Sequence, residues 1–357
     1  MNILKRKIVR NLICLIHHYS WFHEFRQSNR ESQLSESLLG QLWAFRKGFY
    51  LETIKLCGIT KSNFNEYLSD KAYLNLHPIN CDYSKIIDNK FYLPFLLKDY
   101  PELVPRYYYL VDKGRLVKID KSLADDMGLV QLCKEMHSLA LKPCSCTLGE
   151  GFYHLKWDND KFLLNGKTIE IGELISFVES LDRYLVTEYV AQHKYSADIN
   201  PDSVNTIRVF CVRDLEDQAF FIPVSFHRFG VEGKYVDNIG CEDRGLGAFI
   251  DVETGRIKNI SIIKEKGKFE KVIGAINHPD SNQQISGIVI PNWTEMKDKV
   301  LAVMNHLSFL KYGGLDIVIT ESGFKIIEIN SLPTLFVLQV ENGALKKGPL
   351  KRFFLHK

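Results

Sequence analysis

The residues best suited to chemistry lie near the C-terminal end of this 357-residue chain. Gly314-Leu315-Asp316-Ile317-Val318-Ile319-Thr320 and Phe324-Lys325-Ile326-Ile327-Glu328-Ile329-Asn330 are β-branched runs on either side of Glu321-Ser322-Gly323. That pattern predicts a hairpin with a short glycine-containing turn. With the turn setting the register, Asp316 lies across from Glu328, β-carbons about 5 Å apart, and Asn330 shares the face of Glu328 because strand side chains alternate. Two carboxylates and an amide oxygen on one patch of apolar sheet repel and resist desolvation unless a cation joins them. Magnesium fits, since it takes one or two protein carboxylates while nucleotide phosphates and water complete its octahedron. The alternative is a solvated face with unrelated polar residues, against which Ile326, on the face of Glu328, and its neighbours Ile327 and Ile329 argue for burial. Upstream, Arg208 sits on a strand bordered by hydrophobics. Its guanidinium is either a fork for a phosphate or acyl-phosphate oxygen or half of a structural ion pair.

An Asp followed by Glu-x-Asn at the end of a hairpin resembles the magnesium-binding signature of the ATP-grasp superfamily, and the likeness extends backwards. Ala140-Leu141-Lys142-Pro143, then Leu148-Gly149-Glu150-Gly151, resembles the lysine-bearing strand and the glycine-rich loop that covers the phosphates. Glycine lets backbone N–H groups approach phosphate oxygens, and the lysine supplies positive charge. Leu185-Val186-Thr187-Glu188-Tyr189-Val190 is similar to the strand entering the interlobe hinge, where the backbone at Glu188, Tyr189 and Val190 would read the adenine edge. Asp88-Asn89-Lys90 falls where a first ATP-contacting lysine commonly sits, although it is also an ordinary turn. The segment Ser203-Val204-Asn205-Thr206-Ile207-Arg208, followed by Val236-Asp237-Asn238, Thr254-Gly255, His278-Pro279 and Pro291-Asn292-Trp293, resembles the sugar-transfer-associated ATP-grasp family over roughly residues 88–335.

The resemblance implies metal ligands Asp316, Glu328 and Asn330, phosphate contacts from Lys90, Lys142, Gly149 and Gly151, and charge neutralisation by Lys142 and Arg208. Arg228, Asp237 and Asn238 would line the acceptor side. Asn205 could bond ribose, phosphate or its own turn, and Asp198 is a candidate for the ribose hydroxyls. One departure stands out: the family shows Gly-Gly after Val-Asp-Asn, whereas here Ile239-Gly240-Cys241-Glu242-Asp243-Arg244-Gly245-Leu246-Gly247 follows.

Several elements must position these groups. Strands are predicted at Tyr107 to Val111, Ala140 to Lys142, Tyr184 to Val190, Thr206 to Val212, Ala219 to Phe226, Leu315 to Thr320 and Phe324 to Ile329. Helices are predicted at Leu123 to Ser138, Ile171 to Ser180 and Thr294 to Leu307. Residues 1 to about 80 read as helical, with a capped helix at Thr60 to Leu68. The fold class is α+β (or α/β): a mostly helical region 1–87, an N-terminal lobe 88–190, a C-terminal lobe 191–345 and a basic tail 346–357.

Composition bounds the partners. The length calls for two or three subdomains around a cleft, and 45% hydrophobic with 25% charged residues is ordinary for a globular chain. Forty-six basic against 43 acidic residues give a net +3, without the basic excess of a nucleic-acid binder. Eight cysteines without regular spacing point to reduced thiols in the cytosol. Cys144 and Cys146, with Cys133 and His137, lack zinc-knuckle spacing and read as bystander thiols. Lys5, Arg6 and Lys7 before Ile8 to Ile16 superficially look like a signal peptide, but Arg10 and Asn11 interrupt the run, and no stretch is long enough to span a bilayer. The tail, with Phe353 and Phe354, is a candidate for contact with an anionic membrane surface, or else a solvated terminus.

What the resemblance implies is an ADP-releasing ligase that uses ATP and Mg2+ to activate a carboxylate through an acyl phosphate and joins it to an amine. The expected partners are a carboxylate-bearing sugar or sugar nucleotide, with a uronic acid foremost, and an amino acid or small amine, in capsule or lipopolysaccharide synthesis. The expected location is the cytoplasm, or the inner face of the membrane. A sugar kinase on the same fold and a non-catalytic nucleotide-binding module are the alternatives, and product analysis and Mg-dependent ATP binding separate them.

Overall fold

Turn chemistry organises most of the strands. Lys113-Gly114, Asn159-Asp160, Asn165-Gly166 and Lys266-Gly267 all hold positive φ at both residues, the conformation of the two-residue turns that match strand twist. The strands they join are β1 (Tyr107–Asp112) and β2 (Arg115–Lys118), β4 (Tyr153–Asp158) and β5 (Lys161–Leu164), β5 and β6 (Lys167–Ile169), and β12 (Ile257–Glu265) and β13 (Lys268–Ile273). The remaining strands are β3 (Ser138–Pro143), β7 (Tyr184–Glu188), β8 (Ile207–Arg213), β9 (Phe220–Phe221), β10 (Ser225–Phe229), β11 (Gly245–Ile250), β14 (Tyr312–Thr320) and β15 (Gly323–Asn330). In this computed structural model residues 20–32, 34, 36–123, 128–145, 149–239 and 244–356 are described. The basic and apolar segment at Lys5 to Ile16, Cys146, Leu148 and the departure at residues 240–243 lie outside them.

Two sheets result. Seven strands run in the order β2-β1-β7-β3-β4-β5-β6, and the second sheet runs β13-β12-β11-β10-β8-β14-β15, with β9 beside β8. The pairs around the candidate residues are antiparallel, which makes the class α+β. Chain contacts divide the molecule into two units. One comprises Pro78–Ile263 and Val272–Pro333; the other comprises the chain up to His77, Lys264–Lys271 and Thr334 onward. In the first, the two sheets share a core that includes Leu185, Val209, Ile317 and Ile326. A second cluster around Leu132, Leu139 and Val186 belongs to the seven-stranded sheet. Cys133 lies in that second cluster and Cys144 in the shared core, so these two thiols pack apart.

Some expected elements are revised. The strand expected from Ala219 to Phe226 is broken into β9 and β10, because Pro223 has no N–H for a ladder. The helix expected over Leu123 to Ser138 is confined among described residues to Leu129–Met136, and His137, at φ 59°, turns the chain into β3. Thr60 to Leu68 holds only a 3-10 turn at Phe64–Glu66. Helices Ile171–Glu179, closed by a reciprocal Glu170 and Glu173 capping box, and Trp293–His306 stand where the periodicity put them.

The second unit is largely helical: residues 20–32, Leu38–Lys47, Leu51–Cys57, Asp70–Leu76, Leu335–Gln339 and Gly348–Leu355. The last of these corrects the reading of the tail. Phe353 and Phe354 are buried, Phe354 with its ring 6.3 Å from Tyr73, so they neither trail into solvent nor present themselves to a membrane. No helix among the described residues is long and apolar enough to cross a membrane.

Candidate functional site

The hairpin sets the geometry. β14 is buried along nearly its whole length because it lies between β8 and β15. In the register Asp316 pairs with Glu328 on one side and with Arg208 on the other, and Gly314 pairs with Asn330. A register shift after Asp316 re-phases the strand beyond it. Gly314 is required sterically, since a β-carbon there would lie 2.9 Å from Arg208 Cδ and 2.8 Å from Pro333. The arginine stem crosses the space a side chain would fill.

Asp316, 1% exposed, is gripped by two arginines. Arg208 donates from Nε and, at 2.9 Å, from Nη2, while Arg228 Nη2 donates at 2.8 Å. Arg228 is itself held by Thr206, whose hydroxyl accepts from Arg228 Nε at 3.0 Å and donates to Asp237 at 2.5 Å. Burial opposes the charge of Arg228, but Asp237 and Asp316 outweigh it and raise the affinity of the guanidinium for its proton. Glu328 pairs with Lys90 Nζ at 2.9 Å and accepts from Asn330 Nδ2 at 3.1 Å. Burial disfavours its charge, yet Lys90, with Asp316 and Arg208, holds the carboxyl well below its ordinary range.

The seven-stranded sheet contributes Lys142, near the end of β3, with Nζ 5.5 Å from the centre of the Tyr107 ring. Burial first, and the nearby charge of Lys90 second, depress its ammonium to about 8 against the pull of Glu328. Lys90 N–H donates to Cys144 O at 2.8 Å, tying the two lysine-bearing segments together. Gly149 and Gly151 both hold positive φ, 75° and 72°. A β-carbon on Gly149 would meet Val236 at 3.1 Å, and one on Gly151 would meet the Tyr184 hydroxyl at 2.6 Å. The glycine-rich turn thus packs against the loop that carries Asp237 and Asn238.

Lys90, Lys142, Arg208, Arg228, Asp237, Asp316, Glu328 and Asn330 are therefore brought together, while other candidates take different places. Asn205 is a structural hub. It is buried, and its Nδ2 donates to Gln192, to Ser196 and to the Asn200 carbonyl, while its Oδ1 accepts from Gly230 N. Asp198 turns both carboxylate oxygens to Lys194, at 2.6 Å each, on an exposed short helix. Asp237 faces Thr206 and Arg228, which makes it a positioning group in this state. At the end of β7, Glu188 N–H and one carboxylate oxygen are engaged by Arg106. Tyr189 stacks on His154 at 3.8 Å with ring planes 11° apart, and Val190 is buried.

Sequence reasoning passed over three residues. Asp88 accepts from Ser331 N and Oγ, both at 2.7 Å, and so pins the chain just after Asn330. Its adjacency to Lys90 was a usable signal. Thr206 links Asp237 to Arg228, and its place two residues before Arg208 was the signal there. Tyr107 has a buried hydroxyl with no hydrogen-bond partner among the described residues, and nothing in its run of tyrosines distinguished it.

Residues 75–353 match the model of the sugar-transfer associated ATP-grasp proteins. No curated protein matches the chain. Among solved structures the chain is similar to the ATP-grasp ligase PsnB complexed with minimal precursor, Mg and ADP (14% identity, 71% of this chain and 53% of that one, TM-score 0.36). It is also similar to D-alanine–D-alanine ligase from Bacillus anthracis (15% identity, 76% and 67% covered, TM-score 0.39). A third is the ADP complex of an N5-carboxyaminoimidazole ribonucleotide synthetase (11% identity, 70% and 46% covered, TM-score 0.38). The match spans about half the length of the first and last of these.

Proposed function

Because the chain belongs to the sugar-transfer associated ATP-grasp family, we propose that it is an ADP-releasing carboxylate–amine ligase that uses Mg-ATP. The single observation that carries the reading is the charge cluster gathered around Asp316 and Glu328 on β14 and β15. Four cationic side chains, Lys90, Lys142, Arg208 and Arg228, converge with three carboxylates, Asp237, Asp316 and Glu328. A buried cluster with surplus positive charge is costly by itself and is complemented by a polyanion such as a triphosphate.

The donor set fits a hard cation held jointly with phosphate. Asp316, Glu328 and Asn330 offer oxygen donors, and phosphates and water would complete the shell. Asn330 directs its N–H to Glu328, which leaves its amide oxygen for the cation. Bound Mg-ATP supplies an electrophilic γ-phosphoryl group with its charge partly neutralised. Lys142 and Lys90 would hold phosphate oxygens, Arg208 and Arg228 would offset charge developing at the acceptor carboxylate, and the Gly149 to Gly151 turn would keep water from the site. The backbone at Glu188, Tyr189 and Val190 would hold the adenine edge, and Asn238 would face the acceptor. No side chain needs to act as a covalent nucleophile.

The acceptor we propose is a uronic-acid carboxylate of a sugar or sugar nucleotide, joined to an amino acid or small amine during capsule or lipopolysaccharide assembly. The sugar-transfer association of the family supports that reading. The test is mass spectrometry of ATP, uronic-acid donors and an amine panel. The expected result is ADP and amide that appear only when both partners are present. ADP with a phosphorylated sugar and no amine requirement would make the protein a kinase, and AMP would exclude an acyl phosphate.

A further inference from the structure

Two polar groups on the seven-stranded sheet lack what each could give the other. Tyr107 is 4% exposed, and its hydroxyl oxygen is buried without a hydrogen-bond partner among the described residues. Lys142 Nζ lies over the same ring, 5.5 Å from its centre, and makes no hydrogen bond or ion pair to another described residue. A buried hydroxyl left unpaired costs stability, and an ammonium carries three donors that seek acceptors. The other acceptors at the site are engaged: Glu328 by Lys90 and Asn330, and Asp316 by Arg208 and Arg228.

The strand ladder puts the pair on one face. Tyr107 and Ala140 both pair with Thr187, from either side of β7, and directly opposite residues share a face. Lys142, two residues past Ala140, returns to that face. A register shift after Tyr107 separates it from its neighbours: Tyr108 and Tyr109 pack in the cluster of the seven-stranded sheet, whereas Tyr107 joins the core shared with the second sheet. Of these three tyrosines only Tyr107 senses Glu328, whose charge adds to burial in keeping the phenol protonated. A lysine stem is flexible where a ring packed in a core is not, so the ammonium is the group that moves.

We propose that Tyr107 is a positioning residue for Lys142. The face of its ring holds the ammonium before nucleotide binds, and its hydroxyl accepts one N–H when the other two reach nucleotide phosphate. The assignment rests on the ligase reading, because phosphate is what draws Lys142 into place. The test is Tyr107→Phe, with Mg-ATP affinity read by calorimetry and from the Tm shift that the nucleotide produces. Without nucleotide the variant should match or exceed the wild-type Tm, since an unpaired buried hydroxyl is lost and the ring stays. Its Mg-ATP affinity should nevertheless fall by about tenfold, as for the loss of one hydrogen bond to a charged group. In a Lys142→Met background the same substitution should change affinity by no more than about twofold, because the hydroxyl acts only through the ammonium. A lowered Tm without nucleotide, or an unchanged affinity beside a wild type that binds normally, overturns the assignment and leaves the ligase reading in place. So does a loss that persists in the Lys142→Met background, which would put the hydroxyl on the nucleotide itself. A wild type that binds no Mg-ATP overturns that reading and the assignment together.

Discussion

The two sheets that meet at the candidate site carry charge in opposite ways. On the eight-stranded sheet the carboxylates at the site are paired: Asp316 has two arginines and Glu328 has Lys90, while Arg228 is braced through Thr206 by Asp237. The seven-stranded sheet offers Lys142, partly buried and depressed toward neutrality by burial and by Lys90. One side is organised before any ligand arrives, and the other holds a cation whose full charge a bound anion restores. Preorganisation of the first kind requires stability elsewhere to hold it, whereas the second responds to its surroundings.

The largest effect should come from cutting the organised side. Asp316→Ala leaves Arg208 and Arg228 buried without their shared counter-ion, a loss of about 3–5 kcal/mol for a broken buried pair, and ADP release should fall with it. Lys142→Met removes a poorly solvated charge, so its Tm should match or exceed the wild type while ATP binding by calorimetry weakens. Equal stability losses in the two variants would break the comparison. Glu328→Gln should be intermediate, destabilising by about 1–3 kcal/mol because Lys90 loses its ionised partner, and it should raise the Mg2+ concentration needed for ATP binding.

A pH series sharpens the same contrast. The folded-state value of Lys142 lies near 8, below its ordinary 10.5. Between those values the unfolded chain binds more protons than the folded one, so the contribution of Lys142 makes stability rise with pH across that window. ATP affinity should move the other way, falling as pH climbs through about 8 and the ammonium is lost. Calorimetry and denaturant unfolding of wild type against Lys142→Met separate the two slopes; identical slopes in both proteins would show that another group titrates.

How much of this was legible depends on whether a feature was local. The hairpin and the face shared by Glu328 and Asn330 follow from strand alternation, but the expected three-residue turn does not: Thr320 pairs with Gly323, so the turn is Glu321-Ser322, and Asp316 comes opposite Glu328 only through the register shift beside Ile317. Lys142 and the glycine-rich loop emerged by resemblance, and Arg208 was left between phosphate fork and ion pair; among the described residues it is an ion pair, poised beside Glu328. Asn205 is held by Gln192 and Asp198 by Lys194, partners that were not legible because a polar residue in sequence does not reveal which neighbours will saturate it. Four two-residue turns went unread, although Asn165-Gly166 is a strong hairpin signal, because the strands beside them are short and alternate weakly. Tyr107 had no local signal at all, since its burial depends on strands distant in the chain.

The smallest effect belongs to the loop that joins the two sides. At Gly151 a methyl group faces both a positive φ and the Tyr184 hydroxyl 2.6 Å away, so Gly151→Ala should cost about 1 kcal/mol for the backbone plus a steric term. Tyr184→Phe removes the obstructing oxygen and leaves the backbone cost in place. The double variant should therefore regain part, and only part, of the Tm lost by Gly151→Ala. Gly149→Ala shares the positive-φ cost but meets Val236 Cγ1 and Cβ no closer than 3.1 Å, so it should be milder in stability, while the KM for ATP rises in both variants if the turn closes over phosphate. A stability loss with no change in KM would confine these glycines to the turn itself and remove the loop from the nucleotide site.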